Sequence, residues 1–103
     1  WMASVPRDVL DPTALGAIQA VKQAKRDDKI FVVAIDGSPE AVEAIKQGGA
    51  FAASAAQYPQ KMAFAAVEQA IRALKGEKLD AFFSIGGSLV TKDNVATFPG
   101  WAE

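Results

Sequence analysis

Residues 30–40 read Ile30-Phe31-Val32-Val33-Ala34-Ile35-Asp36-Gly37-Ser38-Pro39-Glu40, and they decide the fold. The continuous apolar, largely β-branched run from Ile30 to Ile35 predicts a strand of the kind buried on both faces in parallel sheets. Asp36-Gly37 ends that run. Ser38, Pro39 and Glu40 then supply a helix start, with a proline whose fixed φ suits the first turn. Ala41, Val42 and Ile45 follow at helical spacing and face inward, and Gly48-Gly49 closes the helix. Strand, turn and helix in immediate succession form the repeating unit of an α/β fold.

The same alternation extends in both directions. Towards the N-terminus, Asp11-Pro12 reads as an N-cap followed by a first-turn proline, and Leu15, Ile18 and Val21 predict a helix over 12–25. The short apolar run 1–5 reads as a further strand, joined to that helix by the irregular stretch 6–10. The run 25–29 mixes charge signs and reads as a solvated helix end. Towards the C-terminus, residues 50–56 are small and predict a second strand that ends at Gln57-Tyr58-Pro59. A long helix then runs to Lys75 and stops at Gly76, with a stripe of Ala63, Val67, Ala70 and Leu74. A last extended segment is expected over 81–91, with Gly86-Gly87 as a kink or bulge inside it, and Pro99-Gly100 predicts a turn in the tail. The order βαβαβαβ implies a single small domain over residues 1–103, α/β in class, with a mainly parallel sheet.

Composition removes many functions. Half of the 103 residues are hydrophobic and 22% are charged, which argues against disorder. No apolar run approaches the roughly 20 residues of a membrane-spanning helix. Lysine plus arginine, 11, nearly cancels aspartate plus glutamate, 12, so no net field favours nucleic acid or an anionic membrane. With neither histidine nor cysteine, the usual general base, the commonest metal ligand and the thiol nucleophile are all missing. No paired carboxylates stand out to replace them, so neither an enzyme nor a metal or cofactor is expected. The 21 alanines favour helices packed closely on a sheet. Residues 1–5 lack the basic patch and apolar core of a secretory signal, so the sequence reads either as a mature chain or as an engineered stretch of one.

In open parallel sheets, ligands collect beyond the carboxyl ends of the strands. Asp36 and Gln57 follow two of the expected strands, and Arg7 and Asp8 follow the segment 1–5. A carboxylate accepts from two hydroxyls and an amide both donates and accepts, a combination suited to a neutral polyol. Asp36 fits equally a turn or capping residue beside Gly37 and Ser38, Gln57 a strand end before a proline, and Arg7 and Asp8 a solvated loop. Gly86-Gly87-Ser88 lacks the lysine of a phosphate loop. Phe64 lies about a quarter-turn from the centre of its helix stripe, and it is either covered by a neighbouring element or part of an interface. Phe82, Phe83 and Trp101 raise the same question.

Five ordered blocks resemble the carboxyl-terminal part of the periplasmic sugar-binding proteins, the ribose- and galactose-type solute receptors of ABC transporters. These are Asp11-Pro12-Thr13-Ala14-Leu15-Gly16-Ala17-Ile18, Val32-Val33-Ala34-Ile35-Asp36-Gly37-Ser38-Pro39-Glu40, Ala55-Ala56-Gln57-Tyr58-Pro59, Ala73-Leu74-Lys75-Gly76-Glu77 and Leu89-Val90-Thr91-Lys92-Asp93-Asn94. The resemblance spans roughly residues 11–95 and implies a three-layer αβα, flavodoxin-like lobe, incomplete relative to the family. It also implies sugar binding through Asp36 and Gln57, a periplasmic location and a membrane permease as the transporter partner. An asparagine commonly precedes the first block, and here Leu10 stands in its place. The family holds its sugar between two lobes, and the helix after Gln57-Tyr58-Pro59 belongs to the other lobe.

The chain therefore reads as a truncated or engineered derivative whose parent binds a sugar. As a lone chain it must rearrange, pair with another copy or bind a complementary fragment. A second possibility is an α/β module that folds or self-associates without a ligand, motivated by Phe64, Phe82, Phe83 and Trp101. A third, the effector core of a regulator, would need a DNA-binding headpiece.

Overall fold

The computed structural model describes residues 10–102. Within them the order is α1 (Asp11–Gln23), β1 (Val32–Asp36), α2 (Pro39–Gln47), β2 (Phe51–Ala56), α3 (Pro59–Leu74), β3 (Ser88–Thr91) and a 3-10 turn at Gly100–Ala102. Arg7, Asp8 and the strand expected over 1–5 lie outside the described residues.

β1 and β2 pair in parallel, with Asp36 opposite Ala56, while β3 adds to β2 in the antiparallel sense, with Val90 opposite Ser54. A parallel bridge between Leu10 and Ile35 continues the pattern on the other side of β1. The parallel β1–β2 connection is made by α2. Ser38 caps this helix by accepting the Ala41 amide, and Gly48 ends it at φ +79°. Both signals were readable in the sequence. The α1 start differs from expectation, because Leu10 occupies the N-cap position and Asp11 is the first helical residue. Its side chain is engaged elsewhere.

The core is built from small and medium side chains. Ala14 and Ile18 of α1 and Ala41 and Ile45 of α2 cluster with Ala34, Phe51, Ala56 and Val90 of the sheet. Alanines at these contacts let the helix backbones approach the strands closely. The two helices touch each other and cover one sheet face. Val33, Ala55 and Leu89 point to the opposite face and remain exposed. Two of the three expected layers are thus present among the described residues, in keeping with an incomplete lobe.

The last expected strand is much shorter than the sequence predicts. Only Ser88–Thr91 pairs, and residues 81–87 form no strand. Phe82-Phe83 has the side chains of a strand, but a strand also needs a neighbouring ladder, and β2 is matched only from Ser88 onward. Gly87 marks the entry point, since a Cβ there would lie 2.5 Å from the Ala56 carbonyl oxygen. α3 also departs from its expected packing. Its stripe of Ala63, Val67, Ala70 and Leu74 is exposed, and no residue of the helix is buried. Phe64 is 77% exposed and Phe82 91%, so neither is covered by the described residues.

Candidate functional site

The carboxyl ends of β1 and β2 lie side by side because the strands are parallel neighbours in register. Asp36 is the last residue of β1, and Gln57 follows β2 directly. The Gln57 backbone amide donates to the Asp36 carbonyl at 3.0 Å, extending the ladder by one bond. Its side-chain amide then donates to Asp36 Oδ1 at 2.8 Å. The carboxylate's other oxygen and the Gln57 carbonyl keep acceptor capacity.

Trp101 completes the group. The turn at Gly100, where φ is +83°, carries the indole back over the strand ends, and its Nε1 donates to the Asp36 carbonyl at 2.9 Å. A cavity of about 360 Å³ is lined by Asp36, Gln57, Pro59, Met62 and Trp101. A second cavity of about 410 Å³ shares Gln57 and Met62 and runs between α3 and the Gly86-Gly87 segment. The Tyr58 hydroxyl and Ser88 Oγ, 2.6 Å apart, tie together the two chain segments that leave the sheet beside it. One acidic and one amide side chain, an aromatic ring and a few aliphatic groups make a wall that can hydrogen-bond hydroxyls and cover C–H surface.

The backbone beneath Asp36 is unusual. Asp36 has φ +133° and Gly37 has φ +69°. Positive φ is uncommon for a residue with a side chain and must be held by its surroundings. Gly37 donates its amide to Ser54 Oγ at 2.9 Å, and Ser54 donates its hydroxyl to Asp11 Oδ1 at 2.7 Å. Asp11 Oδ2 accepts the Ser38 amide at 2.7 Å. Asp11 and Ser54 are both fully buried.

Sequence reasoning named Asp36 and Gln57 as candidates, and the fold brings the two side chains together. It assigned Asp11 to a helix cap, although the acid before proline serves β2 and the start of α2 instead. It passed over Ser54, whose signal is the single hydroxyl in the otherwise apolar strand Phe51–Ala56. Trp101 was marked only as an aromatic in need of cover. Leu10, bridged to Ile35, stands beside the strand end as a half-exposed aliphatic side chain. Among the described residues no cluster of acidic side chains could hold a metal ion.

Residues 8–78 match the sequence profile of the periplasmic binding protein domain. The chain belongs to that family. Over 82 residues it is 40% identical to the ribose import binding protein of Salmonella typhimurium, covering 80% of this chain and 27% of that protein. A putative rhizopine-binding protein of Rhizobium meliloti is 34% identical over 91 residues, with coverages of 87% and 29%. Among solved structures, an ABC transporter solute binding protein from Mycobacterium smegmatis with bound glycerol superposes with a TM-score of 0.80 at 34% identity, covering 89% of this chain and 32% of that one. Another, from Agrobacterium vitis with bound allitol, gives 0.80 at 29% identity, with 85% and 30% covered. This periplasmic binding protein segment therefore spans less than a third of the length of these relatives. The agreement extends over most of the chain, as expected of an incomplete lobe.

Proposed function

We propose that this chain carries one part of a sugar site in a non-catalytic, periplasmic solute receptor of an ABC transporter, with Asp36 and Gln57 as the groups that bind hydroxyls. The 2.8 Å contact between these two side chains, at the mouth of a cavity beyond parallel strand ends, is the observation that carries this reading. The relatives support it, since their names and bound molecules are ribose, rhizopine, glycerol and allitol. The membrane partner is then the transporter's permease, and the complete site is expected to need the rest of a full-length receptor.

The test is a two-dimensional NMR titration of the chain with D-ribose, D-allose and allitol. Selective shifts of the Gln57 side-chain amide are expected at millimolar sugar, because much of the cleft's contact area and desolvation is missing. Micromolar affinity in an isolated monomer would contradict a partial site. Asp36→Asn keeps the shape and tolerates positive φ, but it exchanges a charge-assisted hydrogen bond for a neutral one. It is expected to weaken the response by about 1.5 kcal/mol or more, at least tenfold. An unchanged midpoint would remove Asp36 from the site.

The exposed face of α3 favours a second reading, a module that associates with another copy of itself. Phe64, Val67, Ile71 and Leu74 line one side of the helix and are left exposed by the described residues. Sedimentation equilibrium across a concentration series, with and without sugar, separates the two. A sugar-independent dimer abolished by Phe64→Lys would support assembly, and a strict monomer at high concentration would exclude it.

A further inference from the structure

We propose that Asp11 is a positioning residue for the Asp36 carboxylate, acting through Ser54 and the backbone amides of Gly37 and Ser38. Its importance for ligand rests on Asp36 being the binding group proposed above, whereas its hold on the backbone does not.

A carboxylate with no exposed surface and no cation among its bonded partners is costly unless its oxygens are fully used. Asp11 uses both. Oδ2 takes the Ser38 amide and Oδ1 takes the Ser54 hydroxyl, each at 2.7 Å, within the range of charge-assisted bonds. The acid also sits in the first turn of α1 and reaches the residue that caps α2, so two sets of helix N-terminal amides favour its negative charge.

Were the purpose only to tie α1 to α2, the Ser38 bond would suffice. The network continues to Gly37, the residue directly after Asp36. Because Ser54 donates its one hydroxyl proton to Asp11, its lone pairs are aimed at the Gly37 amide, which it accepts at 2.9 Å. The carboxylate thus fixes the orientation of that hydroxyl, and the hydroxyl fixes the peptide that follows the ligand residue. Asp36 is then gripped on both sides. Gln57 and Trp101 hold its carbonyl, while the Asp11–Ser54 relay holds the next two amides. A residue at φ +133° stays there only under such constraint. Without the relay Asp36 is free to relax to negative φ, which turns its carboxylate away from Gln57.

The experiment uses the full chain with Asp11→Asn and Ser54→Ala, and with Ile45→Val as a core variant that lowers stability without touching the relay. Amide hydrogen exchange is read at Gly37 and Ser38 against Ala34 and Ala53 of the sheet. The Gln57 side-chain signals and a D-ribose titration are followed in parallel. In Ser54→Ala, Gly37 is expected to exchange at least tenfold faster relative to the sheet amides, the order set by one buried hydrogen bond. The Gln57 side-chain resonances shift, and the ribose midpoint rises by a similar factor. Ile45→Val accelerates all of these amides together and leaves the Gln57 signals in place.

Uniform acceleration in Ser54→Ala, matching Ile45→Val, would overturn the proposal and leave a purely structural network. Unchanged protection at Gly37 would overturn it as well. If wild type shows no response to ribose, the sugar reading fails, and the exchange pattern still decides whether the relay positions Asp36. If Asp11→Asn does not fold, Ser54→Ala decides alone.

Discussion

Gly37→Ala is expected to destabilise the chain by about 3 kcal/mol, the sum of a left-handed backbone penalty and an overpacked contact. At φ +69° an added Cβ would lie 2.4 Å from the Ala56 Cβ and 2.8 Å from its Cα. Ala56 is paired with Asp36, so no flexible side chain can yield. Relief requires the turn to lift from β2, which breaks the Gly37 bond to Ser54 and parts Gln57 from Asp36. Urea unfolding followed by circular dichroism reads the loss as a lowered midpoint. A change below about 1 kcal/mol would mean that the turn accommodates a side chain and that its tight approach is dispensable.

Ile45→Ala is expected to cost a similar amount, about 3 kcal/mol, by a different route. Ile45 is fully buried where α2 meets the sheet, and its truncation removes apolar burial and leaves a cavity lined by residues that cannot all collapse. For a small domain that is a large fraction of the total stability. Leu74→Ala, at a position 89% exposed on α3, is the matched control and should move the midpoint by less than about 0.5 kcal/mol. Equal losses at the two positions would show that α3 is packed in solution.

These contrasts also mark how much the sequence discloses. The strand–turn–helix unit was legible because each boundary carries its own local chemistry, a β-branched run, a serine cap and a terminating glycine. Asp36 and Gln57 were legible as strand-end residues, and parallel pairing of consecutive strands brings such positions together. The role of Asp11 was hidden, since an acid before proline satisfies a local rule for capping while its actual partners lie 27 and 43 residues away. The amphipathic stripe of α3 was visible, but periodicity states only that a face is apolar and not which surface covers it. The strand propensity of Phe82-Phe83 misled for a related reason, because pairing depends on a neighbour that side-chain preference does not supply. Trp101 reached the site through a glycine-permitted turn rather than through any periodic pattern.

Only Tyr58 separates Gln57 from α3, a helix of 16 residues and so about 24 Å long. A tilt of about 10° pivoting at Tyr58 would carry its far end roughly 4 Å by the same geometry, while displacing Gln57 hardly at all. The strand ends therefore sit at the fulcrum of a long arm, where excursions of an uncovered helix have the least leverage on the Asp36–Gln57 contact.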